Sequence, residues 1–251
     1  MKQFAILMVL WSSIALAQTE TQLSAPPLAE APATAASYPA MAPLDRYLMD
    51  RTAELALAQS AAPPQIARDA EVLVLGRHGY EVAVKGRNGF VCVVERAWMS
   101  PFDDPGFWNP RLRGPVCYNA AGARSVLPYT IKRTALVLAG MNKDQLLAAI
   151  KSAVAQHQLP VPEAGEMSFM MSKNGYLGDQ AGGPWHSHVM ISIPRTDAAM
   201  SDANAALWGA NVPNSPVVAN TRYTEMPEPE TIFFVPVDHW SDGTPAPIMH
   251  H

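Results

Sequence analysis

The sequence predicts an α+β fold with a mainly antiparallel sheet, two to four helices and one disulfide. Three observations carry this. Valine-rich runs punctuated by glycine turns lie between residues 71 and 97, a helix-periodic stretch follows, and strand-like runs return from 166 to 237. The cysteines number two, Cys92 and Cys117. An isolated pair in an oxidising compartment reads as a disulfide.

The compartment is inferred from the first residues, "MKQFAILMVLWSSIALAQTETQ". An apolar run from Phe4 to Leu16 follows one lysine and ends in Ala15-Leu16-Ala17, the small-x-small pattern of a secretory leader. Cleavage is expected after Ala17, with residues 1–17 as signal peptide. The run has 13 residues, too few to span a bilayer, which takes about 20. Residues 18–43 hold eight alanines and five prolines without periodicity, a flexible tether. The rest, 44–251, is expected to be a single globular domain, soluble and exported to a periplasm or beyond.

Within that domain, Leu44, Leu48, Thr52 and Leu55 recur at helical spacing, and Arg46 and Asp50 stand at i, i+4, so a helix is expected over about 44–60 before Pro63-Pro64. Runs at 71–75, 80–85 and 90–97 then read as a three-strand meander turned by His78-Gly79 and by Gly86-Arg87-Asn88-Gly89. From Ser100 to Cys117 the chain is a long loop rich in proline and aromatic residues, with the disulfide at its far end. A helix or pair of turns is expected over 120–139. A better marked helix starts at Asn142, with Gln145 completing a capping-box pattern, and stops at Pro160 and Pro162. Strands are expected at 166–172, 186–193 and 230–237, with a Lys173-Asn174-Gly175 turn and a short helix near 197–208 between them.

Eighteen basic against 22 acidic residues leave a net charge of −4, and only 16% of residues are charged. With no basic stripe for phosphates, nucleic acid is not an expected partner. Clusters of lysine and arginine for anionic lipid heads are also missing.

The densest chemical pattern is "GGPWHSHVMISIP", residues 182–194. In a strand His186, His188, Met190 and Ser192 share one face, while Trp185, Val189, Ile191 and Ile193 share the other. The apolar set is expected to face the core, leaving the histidines on an exposed face or a cleft wall. Their α-carbons would lie roughly 6.6 Å apart, close enough to share one ion, whereas Met190 would be about 13 Å from His186. Two histidines need a further ligand for zinc. His239, Asp238, Asp179 and His78 are the candidates, none at a diagnostic spacing. Exposed or hydrogen-bonded histidines are the plainer reading.

The loop from Ser100 to Cys117 sets Phe102, Phe107 and Trp108 between Asp103-Asp104 and Arg111, Arg113. Such rings could form a ligand or partner surface, or could pack down over the sheet. Met167, Met170 and Met171 read as core filler, and Met249-His250-His251 as a frayed tail. Nucleophile elbows, S-x-x-K, phosphate loops and H-E-x-x-H are absent from the sequence, which disfavours the common serine hydrolases, nucleotide enzymes and helical zinc proteases.

At "HGYEVAVKGRNGFVCVVERAW", "FWNPRLRGPVCYN" and "MSKNGYLGDQAGGPWHSH" the chain resembles a set of uncharacterised exported bacterial proteins. The resemblance implies export and one fold but no activity. Two functions are therefore carried forward. One is a non-catalytic module that binds a ligand or an envelope protein through the aromatic loop. The other is a zinc-dependent hydrolase in which His186 and His188 hold the ion, His239 or Asp179 completes the site, and a bound water attacks.

Overall fold

The computed structural model describes residues 38–178, 186–195, 210, 215–218 and 226–247. The expected leader, most of the tether, the helix near 197–208 and the tail from Met249 lie outside those residues. Eight strands form one sheet: β1 (Glu71–Gly76), β2 (Gly79–Val84), β3 (Val91–Glu95), β4 (Gly114–Tyr118), β5 (Ser168–Met170), β6 (His188–Pro194), β7 (Val217–Val218) and β8 (Glu230–Pro236). Their order is β2-β1-β3-β4-β5-β6-β8-β7, and every neighbouring pair is antiparallel except β1 and β3. Among the described residues there are four helices longer than one turn, α1 (Arg51–Gln59), α3 (Ala120–Ser125), α4 (Leu127–Leu138) and α5 (Lys143–Ala155), and the single turn α2 (Pro64–Ala67). This is the α+β architecture expected.

Alternation within the strands builds a core on each face of the sheet. Val93, Val116 and Tyr118 join Trp98, Leu127, Leu146 and Ile150 on one side, while Val72, Val74, Cys92, Val94 and Cys117 join Ala58 on the other. Strand β4 is consequently buried at all five positions, as a strand covered on both faces must be. Cys92 and Cys117 stand directly opposite in the β3–β4 register and are bonded in a disulfide. The capping box of α5 is formed, with Asn142 and Gln145 exchanging bonds of 3.0 Å.

The helix expected over 44–60 is interrupted. A short 3-10 helix, Leu44–Arg46, comes first, and α1 starts only after Asp50, whose carboxylate accepts the Ala53 N–H at 3.0 Å. Tyr47 is the cause. In a continuous helix its carbonyl would accept from Arg51, but here it accepts from the buried Arg96 Nε at 2.8 Å, and its hydroxyl donates to the Trp108 carbonyl at 2.8 Å.

The meander is also corrected. β1 lies between β2 and β3, and β3 runs parallel to it. Residues 85–90 do not make a tight hairpin but cross past the start of β1, where Arg87 N–H donates to the Asp69 carbonyl at 2.9 Å and Glu71 N–H to the Phe90 carbonyl at 2.8 Å. The crossing is so close that a Cβ on Gly86 would lie 2.2 Å from the Glu71 nitrogen.

The aromatic loop does not supply the expected contact surface. Phe102, Phe107 and Trp108 are all buried, the two phenyl rings stacked at 5.0 Å and Trp108 edge-on to Phe107 at 4.8 Å. The Arg133 guanidinium sits 4.4 Å over the Phe102 ring, which fixes that ring inward. Of Phe102, Phe107, Trp108 and Arg111, the residues expected to make that surface, only Arg111 is exposed, and it is held by Tyr176, whose hydroxyl it meets at 2.6 Å.

Candidate functional site

The two faces of β6 are exchanged relative to expectation. His188 and Ser192 are only 6% and 4% exposed, whereas Ile191 is 40% exposed, and Met190 packs on the core. The physical reason is that this face of the sheet carries buried polar partners. Glu95, Glu166, Glu228 and Glu230 are gathered there with Tyr118, Thr130 and Arg133. A polar strand face can turn inward when such groups meet it.

His188 holds its Nδ1 2.9 Å from the His186 carbonyl oxygen. A carbonyl only accepts, so Nδ1 carries the proton and Nε2 the lone pair. The ring stands edge-on to Phe234 at 5.0 Å, and burial pulls its pKa down to about 4, so it is neutral near pH 7. Nδ1 of His186 is buried with no hydrogen-bond partner among the described residues. His239 is half exposed, its ring bonded to Asp238 at 2.7 Å, while its carbonyl accepts from Ser187 Oγ at 2.7 Å. Ser187, His239 and Asp238 are thus neighbours, yet the hydroxyl meets main chain rather than the imidazole, and no nucleophile–base pair results. Among the described residues no three His, Cys, Asp or Glu side chains come together as a metal set, and Asp179 lies outside them. His78 is removed from the candidates, because it stands at the β1–β2 turn and β1 is four strand steps from β6, roughly 19 Å.

A different constellation lies where β5 and β6 part. Their register pairs Ser168 with Met190, so continued pairing would place Glu166 opposite Ser192. The strand ends instead, Gly165 taking φ +81°, and the side chain of Glu166 replaces a main-chain acceptor: its Oε2 accepts the Ser192 N–H at 2.5 Å. The gap is a cavity of about 280 Å³ lined by Glu163, Glu166, Met167, Ile191, Ile193 and Pro194 among others. Gly122, in α3, makes the carboxyl's position available, since a Cβ there would lie 2.9 Å from Glu166 Oε1.

Electrostatics around Glu166 are dominated by burial with too few counter-charges. Arg133 is taken by Glu228 through bonds of 2.6 and 2.7 Å. Glu95 accepts from Tyr118 and Thr130, whose hydroxyls temper the upward push of its burial. Desolvation raises Glu166 to about 7, less the effect of Ser192, and desolvation with the nearby Glu228 raises Glu230 to about 8. Sequence reading passed over all of these acids. Glu166, Ser168 and Met170 do alternate onto one face, which was the available signal, but nothing local says that an acid at the edge of a strand will be buried.

No family model, curated protein or solved structure matches this chain.

Proposed function

We propose that this protein is an exported, non-catalytic binding module whose ligand seats in the cleft between the end of β5 and β6. The observation that carries the reading is the parting of two paired strands around a cavity lined mostly by apolar residues. That combination suits recognition of a small ligand, and its volume is near the lower limit of ligand pockets, about 300 Å³. The leader-like first residues and the Cys92–Cys117 bond support export, and among the described residues no helix is long and apolar enough to cross a membrane. The contact surface moves from the aromatic loop to the cleft because the rings are spent in the core.

A fragment panel titrated into the isotope-labelled mature chain tests this by NMR. Saturable shifts should centre on Gly165, Glu166, Met167, Ile191, Ser192 and Ile193; saturable binding confined to other surfaces overturns the reading. Export is tested by fractionation with sequencing of the first residue. A periplasmic product starting at Gln18 is expected, and cytoplasmic retention with Met1 intact overturns it.

One observation keeps the zinc hydrolase as a second reading. Nδ1 of His188 bonded to a carbonyl is the arrangement that orients metal-bound histidines, and the neutral ring is the ligating form. Metal analysis of untagged protein decides it: zinc should be present in the wild type and lost in His186→Ala/His188→Ala, and equal content in both ends the reading.

A further inference from the structure

We propose that Asn174 is a site of spontaneous deamidation in the folded protein. The sequence holds two Asn-Gly pairs, Asn88-Gly89 and Asn174-Gly175. In such a pair the main-chain nitrogen of the glycine can attack the asparagine side chain, because no Cβ shields its approach. Both asparagines are exposed to the water that the reaction needs, so exposure does not separate them. Their hydrogen bonds do. Asn88 is clamped at both ends of its amide: Nδ2 donates to the Ile66 carbonyl at 2.8 Å, and Oδ1 accepts the Phe90 N–H at 3.0 Å. Its main-chain N–H also reaches the Asp69 carbonyl at 3.4 Å. Swinging the amide carbon onto the Gly89 nitrogen would break both side-chain bonds before any chemistry began.

Asn174 has no such restraint. It lies in the turn that follows β5, where its main-chain N–H donates to Ser172 Oγ at 3.1 Å and its side-chain amide makes no hydrogen bond among the described residues. The Gly175 N–H, which must give up its proton, meets the Ser172 carbonyl at 3.4 Å, longer than an ordinary hydrogen bond. The reaction needs only water and base. The Gly175 nitrogen loses its proton to solvent and bonds to Asn174 Cγ, the Cγ–Nδ2 bond breaks, and ammonia leaves with a proton from water. Water then opens the cyclic imide. Opening at Cγ leaves an aspartyl residue at position 174, and opening at the main-chain carbonyl leaves an isoaspartyl residue, whose main chain is longer by one methylene. Either product sets a carboxylate next in sequence to Lys173, whose Nζ lies 2.6 Å from Asp242 Oδ2. The longer chain falls two residues before Tyr176, which exchanges main-chain bonds of 2.8 and 2.9 Å with Arg113.

The oxidised, folded protein is held in warm, mildly alkaline buffer beside a sample unfolded in urea, and each Asn-Gly pair is followed by peptide mapping as a mass gain of about 1 Da. In the folded chain Asn174 should convert about ten-fold faster than Asn88, whose two side-chain bonds must break first. In urea those bonds are gone, and the two rates should converge. The product at position 174 should separate chromatographically into aspartyl and isoaspartyl forms. Asn174→Gln should abolish the gain there and leave conversion at Asn88 unchanged. Conversion of Asn88 as fast as that of Asn174 in the folded chain overturns the assignment, and so does an Asn174 that reacts in urea but not when folded. A preference for Asn174 that persists undiminished in urea overturns it as well, because the fold would then decide nothing.

Discussion

Gly86 shows how far one residue can be constrained by chain that is distant in sequence only slightly. Its missing side chain lets residues 85–90 pass the start of β1 with 2.2 Å between a would-be Cβ and the Glu71 nitrogen. Backbone cannot yield as a flexible side chain can, so Gly86→Ala should cost about 3 kcal/mol, read as a lowered urea midpoint; an unchanged midpoint would contradict the crossing. Arg133 is constrained by charge instead. It and Glu228 are nearly inaccessible, and Arg133 Nη1 also donates to the carbonyls of Trp98 at 2.9 Å and Ser100 at 2.8 Å. Arg133→Met strands a buried carboxylate and should cost roughly 3–5 kcal/mol. Adding Glu228→Leu should recover part of that in the same denaturation assay, though not all, because the two carbonyls stay without their donor.

Elements were legible where their signals were local. Helix α5 has its capping box at Asn142 and Gln145 and its apolar face in the residues that follow, and it forms where expected, although it ends at Ala155, short of Pro160. The valine runs also become strands. Misreadings fall where a distant group overrode the local pattern: Arg96 takes the carbonyl that would have joined the 3-10 helix at Leu44 to α1, and the Asn88-Gly89 pair turns a crossover rather than a hairpin. The Cys92–Cys117 bond ties the neighbouring strands β3 and β4 and closes a chain separation of 25 residues. Replacing both cysteines by alanine should lower stability by about 3.5 kcal/mol, provided the wild type is assayed oxidised. Equal midpoints for the variant and the oxidised wild type would show that the bond constrains nothing.

At the scale of the whole molecule the buried acids make stability depend on pH. Both Glu166 and Glu230 release their protons near the ordinary value of 4.5 when unfolded, but only at about 7 and about 8 when folded. Their stabilising contribution is therefore complete below about 4.5 and is lost as pH rises through 7 and 8. His188 acts oppositely below 6.5, where the unfolded ring protonates and the folded one resists until about 4. The loss should be clearest between about pH 6.5 and 8, where His188 is neutral in both states. Thermal midpoints should fall across that window, and Glu166→Gln/Glu230→Gln should flatten the fall; a wild-type curve already flat there would show that neither acid holds a proton.

By itself the sequence determined the α+β class, the position of most strands and the last helix, and the cysteine pair, because each follows from composition or from periodicity over a few residues. Only the tertiary structure decided which face of β6 points inward and what Glu166 does. Alternation tells which side chains share a face, but the sign of that face depends on what is packed over it. Here the cover is polar: Glu166 reaches across a parted pair of strands to the Ser192 N–H, and Glu95 and Glu228 meet the Thr130 and Arg133 side chains of α4.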